Sequence, residues 1–228
     1  ATTSTLDGSQ FDHGDTVQCT VMATDGAANS APVMSNNQYI SNTAPSALSI
    51  VIGPADPQTY DDVTLFVSGW DDLDGDPEGY LVQWFVNGFE LPGETATSLS
   101  STYYAKNDLL YAVATPDDGI DYGVPLVSLE IAVLNTPPTL VSVGVGPANP
   151  SASDLLTCTP TGEADDDGDP IALNIEWFVD GVGMGVGTNQ LASPGAGSNV
   201  YCVVTPNDGD EDGIAIQSNS VTIENSVP

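Results

Sequence analysis

Positive charge is almost absent from this chain of 228 residues, which has no arginine and one lysine, Lys106. Against that lysine stand 32 aspartate and glutamate residues, and the formal net charge at pH 7 is −31. A surface of this kind repels nucleic acid and anionic lipid and attracts cations. No apolar run approaches the roughly 18 residues that a membrane-spanning helix needs. The sequence therefore predicts no nucleic-acid partner and no insertion into a membrane.

Residues that usually carry catalysis are also scarce. His13 is the only histidine, so most of the chain cannot build a Ser–His or Cys–His pair. A zinc site would need histidine or thiolate ligands, and the chain has three cysteines. Paired carboxylates could in principle hydrolyse a glycoside, but here they fall in predicted loop tips, recur along the chain and lack an aromatic cleft. We therefore predict that the protein is not an enzyme.

The chain contains an internal repeat. Trp84 lies in the stretch "VQWFVNG", and Trp177, 93 positions later, lies in "IEWFVDG". The acidic stretch "DDLDGDP" returns at the same spacing as "ADDDGDP". Another element occurs three times, as "TVQCTVMATDG", "LLYAVATPDDG" and "NVYCVVTPNDG". These spacings predict the C-terminal half of one module followed by two complete modules, with the boundaries 1–44, 45–137 and 138–228.

Each complete module is predicted to be built from β-strands. Short apolar or alternating runs, such as "VTLFVSG" and "LLYAVATP", are separated by clusters of Gly, Pro, Asp and Asn. No long stretch carries the 3.6-residue period of a helix. A module of about 90 residues with some seven short strands and an early tryptophan is typical of an immunoglobulin-like sandwich. The predicted fold class is therefore all-β, with tandem immunoglobulin-like β-sandwich modules at a period of about 93 residues.

Two cysteines of the last module are predicted to form a disulfide. Cys158 and Cys202 align with Leu65 and Ala112 of the preceding module, so one module has cysteine at both positions and the other at neither. Paired loss is what a bond between facing strands predicts, and two buried free thiols are the alternative. A disulfide indicates an oxidising compartment outside the cytoplasm.

The remaining cysteine, Cys19, aligns with Cys202 and is predicted to be unpaired in this segment. Its natural partner would lie in a strand that precedes residue 1, which leaves half a sandwich with an exposed apolar face. We consider two explanations: the half-module is completed by upstream chain of a longer repetitive protein, or by strands from another subunit. Either explanation makes the protein part of something extended.

Acidic loops recur in both complete modules, and they are predicted to meet at one end of each sandwich, beside Asn42 or Asn135 of the linkers. Converging oxygen ligands of this kind are what Ca²⁺ prefers, and a chain with a single lysine is expected to lack side chains that could neutralise them. The alternatives are solvated Asp-Gly turns and adaptation to high salt. The calcium hypothesis assigns ten ligands: Asp72, Asp74, Asp76, Asp118, Asp121, Asp165, Asp167, Asp169, Asp208 and Asp210.

The pattern "NTPPTLVSVGVGPANPSASDLLTCTPTGEADDDGDP", followed by "IEWFVDG" and "NVYCVVTPNDGDEDG", resembles tandem immunoglobulin-like or cadherin-like repeats of large secreted bacterial surface proteins. The resemblance covers nearly the whole chain; the middle module lacks the disulfide and the first module is truncated. It implies an extracellular or cell-surface location and a calcium-rigidified rod, stalk, adhesin or filament.

From these observations we expect an extracellular structural repeat protein that forms a calcium-stiffened rod or surface filament. Its partners would be neighbouring modules or identical subunits. The alternative is an adhesin module that itself binds a glycan or a protein partner on a surface.

Overall fold

The computed structural model describes residues 5–225, which divide into two compact units. The first unit holds the chain up to Ala55 together with Val63–Leu99 and Leu110–Ile131. The second unit holds Asp56–Asp62, Ser100–Leu109 and the chain from Ala132 onward. Each unit is described by itself below, and the three repeats identified in the sequence are called the first, second and third repeat.

Regular structure within residues 5–225 consists of β-strands and two short 3-10 turns, Gly8–Gln10 and Ser101–Tyr103, and none of these elements is a helix that could cross a membrane. The strands of the first and second repeats are β1 Thr16–Val17, β2 Thr20–Val21, β3 Val33–Met34, β4 Gln38–Tyr39, β5 Ser49–Gly53, β6 Val63–Ser68, β7 Tyr80–Val86, β8 Phe89–Glu90, β9 Ser98–Leu99, β10 Leu109–Pro116, β11 Leu126–Val127 and β12 Ile131–Ala132. Those of the third repeat are β13 Ser142–Gly146, β14 Leu155–Thr161, β15 Ala172–Val179, β16 Val182–Gly187, β17 Gln190–Ala192, β18 Asn199–Asn207, β19 Ile216–Gln217 and β20 Val221–Thr222.

The third repeat is a two-sheet sandwich. One sheet has the strand order β13-β14-β17, and the other has β16-β15-β18-β19 with β20 beside β18. Along β18 every second side chain is buried, so Val200, Cys202 and Val204 face the core. This alternation follows from the two-residue period of a strand. Trp177 of β15 is buried in the same core, and its indole Nε1 donates a hydrogen bond to the Thr188 carbonyl at 3.0 Å.

A disulfide joins the two sheets of the third repeat. Cys158 lies on β14 and Cys202 on β18, and their sulfur atoms are bonded. The paired replacement by Leu65 and Ala112 predicts this bond. Leu65 and Ala112 are themselves buried in the first unit, so the second repeat fills the same place with apolar side chains.

The second repeat has the same strand arrangement. Its sheets have the orders β5-β6-β9 and β8-β7-β10-β11. Trp84 is paired with Ala112 across β7 and β10, just as Trp177 is paired with Cys202 across β15 and β18. The prediction of an all-β protein with immunoglobulin-like sandwiches is confirmed.

Within residues 5–44 the first repeat contains two small pairs of strands, β1 with β4 and β2 with β3. The segment that corresponds to the continuous strands β10 and β18 is divided here into β1 and β2. No third strand pairs along this segment among the described residues. Every residue from 18 to 39 is exposed. Cys19 has a free thiol within this exposed stretch.

Candidate metal centres

The first unit carries an acidic pole built on the loop between β6 and β7. The Oδ1 atom of Asp72 accepts hydrogen bonds from the backbone amides of Asp74 at 2.9 Å and Asp76 at 3.1 Å. These bonds curl the loop, with Gly75 at a φ of +78° in the turn. Each of the three carboxylates thereby offers an oxygen that lies within 4.8 Å of the others. We call this loop, with Asn42, Asp118 and Asp121, the first acidic pole.

The linker before the second repeat is tied to the same pole. The Nδ2 atom of Asn42 donates to Asp118 Oδ2 at 2.9 Å and to Asp121 Oδ2 at 3.1 Å. The backbone amide of Thr43 donates to Asp74 Oδ2 at 2.6 Å. Gly123 permits this arrangement, since a Cβ atom there would lie 2.1 Å from the carbonyl oxygen of Pro45. All five predicted ligands of this pole therefore belong to one hydrogen-bonded region around Asn42 and Thr43.

The second unit repeats the arrangement at a second acidic pole, formed by Asp165, Asp167, Asp169, Asp208 and Asp210 with Asn135. Asp165 Oδ1 accepts from the amides of Asp167 at 3.0 Å and Asp169 at 2.9 Å. The three carboxylates of this loop again lie within 4.8 Å of one another. Asn135 Nδ2 donates to Asp208 Oδ2 at 2.8 Å.

Other contacts tie the linker of the second unit to its acidic loop. The amide of Thr136 donates to Asp167 Oδ2 at 2.6 Å, and the hydroxyl of Thr59 donates to Asp167 Oδ1. Gly213 has even less room than Gly123, because a Cβ atom on Gly213 would lie 1.8 Å from the carbonyl oxygen of Pro138.

The second pole contains an internal cation. The ammonium group of Lys106 donates to Asn135 Oδ1 at 2.9 Å, to Asp210 Oδ2 at 2.7 Å and to Asp169 Oδ2. An ammonium has three donors, so these three oxygens satisfy it fully. The expectation that the chain's own side chains cannot neutralise an acidic loop is therefore wrong for this pole.

At the first pole the corresponding position is His13, which precedes Lys106 by 93 residues. Its Nδ1 atom lies 3.3 Å from Asp76 Oδ2. His13 also forms a second possible ligand group with Asp12 and Asp74.

Buried oxygens without partners distinguish the two poles. At the first pole Asn42 Oδ1 and Asp72 Oδ2 are buried and accept no hydrogen bond among the described residues, and Asp76 Oδ2 is also buried, with the buried His13 Nδ1 3.3 Å away. At the second pole only Asp165 Oδ2 is in that state, because Lys106 satisfies Asn135 and Asp169. Buried polar atoms are normally paired, and a cation with oxygen ligands would pair these. The donor set of the first pole thus fits a bound Ca²⁺.

The pKa values of the aspartates also differ between the two poles. Burial raises the pKa of the Asp76 carboxyl, nearby carboxylates add to the rise, and His13 opposes it. Hydrogen bonds from Asn135 and from backbone amides lower the pKa of Asp208 to about 2. Burial alone would raise the pKa of Asp118, but hydrogen bonds from Asn42 and from backbone amides bring it below its usual value. Hydrogen bonds to Asp169 and Asp210 raise the pKa of the Lys106 ammonium, so this group stays charged.

The residues missed from the sequence are Lys106, His13 and Thr59. The signal for the first two was available, because the single lysine and the single histidine are one repeat period apart. Thr59 carried no such signal, since the chain is rich in threonine.

No protein-family model matches the chain, and no curated protein matches its sequence. Among solved structures, a "Ca2+-stabilized adhesin" that "helps an Antarctic bacterium reach out and bind ice" is 16% identical, with a TM-score of 0.39, over 92% of this chain and 57% of that one. This chain therefore spans little more than half of the adhesin structure.

Two chicken proteins are similar at a comparable level. Domains FN1–FN3 of chicken CNTN1 are 10% identical with a TM-score of 0.32, over 93% of this chain and 78% of that one. The chicken interferon gamma receptor alpha chain is 9% identical with a TM-score of 0.43, over 81% of this chain and all of that one. TM-scores below 0.5 establish no function for this chain.

Proposed function

We propose that this protein is an extracellular structural repeat protein, and that Ca²⁺ bound at its acidic poles stiffens a rod or surface filament. The observation that carries the proposal is the pair of buried oxygens without a partner among the described residues at the first pole, Asn42 Oδ1 and Asp72 Oδ2, in the same cluster as Asp76. The proposed modules are 1–44, 45–137 and 138–228.

Calcium at the first pole would be held by oxygens from the linker and from two loops. Asn42 Oδ1, Asp72 Oδ2 and Asp76 Oδ2 would supply three ligands, Asp74 belongs to the same carboxylate cluster, and Asp118 and Asp121 are joined to the site through Asn42. Ca²⁺ takes about six to eight oxygens, including carbonyls and waters. An ion bound in this way would link the chain before the second repeat to the loops of that repeat. The linker would then lose freedom, which is the physical basis of the proposed stiffness.

The proposed location and partners follow from the surface and the disulfide. The Cys158–Cys202 bond is stable in an oxidising compartment, which supports an extracellular or cell-surface protein. The charge of −31 keeps such a chain dispersed while leaving it responsive to divalent cations. Neighbouring modules or identical subunits are the proposed partners.

The experiment is thermal unfolding of the whole chain with calcium, with magnesium and with a chelator, combined with calorimetric titration of calcium. We expect calcium to raise the unfolding midpoint and magnesium to raise it less, because a crowded aspartate site suits the larger ion. The variant Asp72→Asn/Asp76→Asn should lose the calcium response of the first unit. The matched control is Asp71→Asn, which removes a neighbouring exposed carboxylate outside the cluster. Equal midpoints in calcium and chelator, with no binding heat at millimolar calcium, would contradict the proposal.

An adhesive role is the second candidate, and the edge strand β16 favours it. Val182, Met184 and Val186 alternate along this strand and are all exposed. Val182 is paired with Val179 and Val186 with Glu176, and a bulge between these pairs places the two valines on opposite faces of the sheet. The edge strand therefore exposes apolar side chains on both faces. Such an edge can accept a partner by strand addition or by apolar contact. Adhesion through β16 would not depend on calcium at the first pole, and this separates the two functions.

A further inference from the structure

The first repeat keeps the local hydrogen bonds of the complete repeats. Ser35 Oγ accepts from the Cys19 amide at 3.0 Å, and the Ser35 amide donates to the Cys19 carbonyl at 2.8 Å. Ser128 with Ala112 and Ser218 with Cys202 form the same pair of bonds, at 3.0 and 2.9 Å in each case. The hairpin of the first repeat is therefore folded as its counterparts are.

The segment before this hairpin is equivalent as well. The 3-10 turn Gly8–Gln10 is capped by Asp7, whose side chain accepts from the Ser9 amide. The turn Ser101–Tyr103, one period later, is capped in the same way by Ser100. By the same spacing Leu6 corresponds to Leu99 of β9, which is fully buried, whereas Leu6 is 49% exposed. The correspondence between the first and second repeats therefore extends back to Leu6, which occupies the position where β9 ends in the second repeat.

Burial is what differs between the repeats. Val204 and Ala114 are fully buried, whereas their counterpart Val21 is 62% exposed. Cys202 is fully buried, whereas its counterpart Cys19 is exposed. The first repeat thus turns to solvent the face that the other repeats bury.

The third repeat shows what covers this face. Val143 and Val145 of β13 and Leu156 and Cys158 of β14 belong to the same buried cluster as Val200, Cys202 and Val204. The strand β15 pairs with β18 from Val200 to Asn207. All of these covering strands precede β18 in the chain.

We propose that the exposed face around Cys19 is the docking surface for the other half of its own sandwich. The occupant is a segment of about 50 residues in the full-length polypeptide ahead of Ala1, equivalent to residues 138–185. It carries strands that match β13, β14 and β15, and a cysteine in the second of them that bonds to Cys19. The chain order of the third repeat selects this source, because the covering strands come before the hairpin that they cover.

A second copy of the described chain fits the face less well. Its Cys158 is already bonded to Cys202, so the thiol that it can offer is another Cys19. Its complete sandwiches also have their apolar sheet faces turned inward. The inference rests on the repeat arrangement in the proposed function but not on calcium, so it can be tested in chelator.

The test joins residues 138–189 of this chain directly to Thr5, in place of residues 1–4, and keeps the rest of the chain unchanged. This junction keeps register, because Leu191 pairs with Leu156 as Leu99 pairs with Val63, and Leu6 then takes the place of Leu191. We expect the thiol of Cys19 to become unreactive and to be found by mass spectrometry in a disulfide with the grafted cysteine. Amide exchange at Cys19–Val21 should slow by roughly tenfold or more, as expected for a strand that gains partners and burial.

A matched graft separates packing from the disulfide. Residues 45–97 placed before Thr5 bring Leu65 in place of the grafted cysteine, so exchange at Cys19–Val21 should slow while the thiol stays chemically free but shielded. Reactive Cys19 and fast exchange in both grafts would overturn the proposal, and an intact Cys158–Cys202 bond would show that the rest of the chain is folded. Burial of the face in the unmodified chain by a Cys19–Cys19 dimer, seen by sedimentation, would also overturn it in favour of self-association. Failure of calcium binding affects none of these readouts.

Discussion

Where the third repeat joins its two sheets through Cys158 and Cys202, the second repeat places Leu65 and Ala112. Where Lys106 enters the second acidic pole with a permanent charge, His13 enters the first. Because the backbone arrangement is the same in both repeats, Lys106 and His13 account for the different hydrogen bonding of the two poles. The third repeat carries its own crosslink and receives a cation, Lys106, from the second repeat, whereas the second repeat has no crosslink and receives His13 from the first.

The contrast shows how one buried oxygen can be satisfied in two ways. Asn135 Oδ1 accepts from Lys106, while the equivalent Asn42 Oδ1 has no partner among the described residues. An ammonium held by the chain needs no ion from solution, whereas the first pole keeps Asn42 Oδ1 available to one. The two poles are therefore expected to differ in their response to calcium.

The largest expected effect comes from making the third repeat like the second, with Cys158→Leu and Cys202→Ala. Closing this loop of 45 residues stabilises by about 4 kcal/mol in the chain-entropy model, and the new leucine recovers part of that. We expect the slowest-exchanging amides of β18 to lose protection in native-state hydrogen exchange. The reciprocal variant Leu65→Cys/Ala112→Cys should form a disulfide and gain protection in β10. Unchanged protection of β18 would mean that the disulfide does not set the stability of this repeat.

An intermediate effect, on calcium affinity, is expected from substituting Lys106 and His13. Lys106→Met removes the competing charge from the second pole and should raise its calcium affinity by roughly tenfold, within the usual range of coupling between sites. His13→Lys should lower the affinity of the first pole. Calorimetric titration of both variants measures this, with Lys106→Arg as the control that keeps the charge. If Lys106→Met left the number of bound ions and their affinities unchanged, Lys106 would not be the resident cation of that pole.

The smallest effect is a difference in pH dependence, measured in chelator. The pKa of Asp208 is lowered to about 2, below the usual value of about 3.9. Its contribution to stability is therefore present above about pH 4 and is lost as the pH falls through about 2. The pKa of Asp76 is raised, so the first pole should take up a proton first and become more stable as it does. Carboxyl ¹³C titration by NMR separates the two groups.

The control for the pH experiment is Asn135→Ala. It removes the donor that contributes most to the lowered pKa of Asp208, which should then titrate closer to the usual value. Asp208 titrating at the usual value in the unmodified chain would contradict the contacts described for the second pole.

Local pattern was enough to predict much of the fold. The alternation in "NVYCVVTPN" corresponds to β18, where every second side chain is buried, because a strand's two faces are written directly into its sequence. The paired cysteines were predictable because the second repeat supplies an internal comparison. The position of Lys106 was not predicted, since its contact with Asp169 spans 63 residues and depends on how loops meet in three dimensions. The composition pointed away from it, because one lysine looked too few to matter.

The close contacts of Gly123 with Pro45 and of Gly213 with Pro138 have a consequence for how such a protein can grow. Each complete repeat brings both a proline that presents its carbonyl and a glycine with room to receive it. Duplicating a repeat in the gene would therefore duplicate a finished connector, with no new surface to invent. The protein can then become longer or shorter by whole repeats, provided that the position of Gly123 and Gly213 remains glycine in each copy.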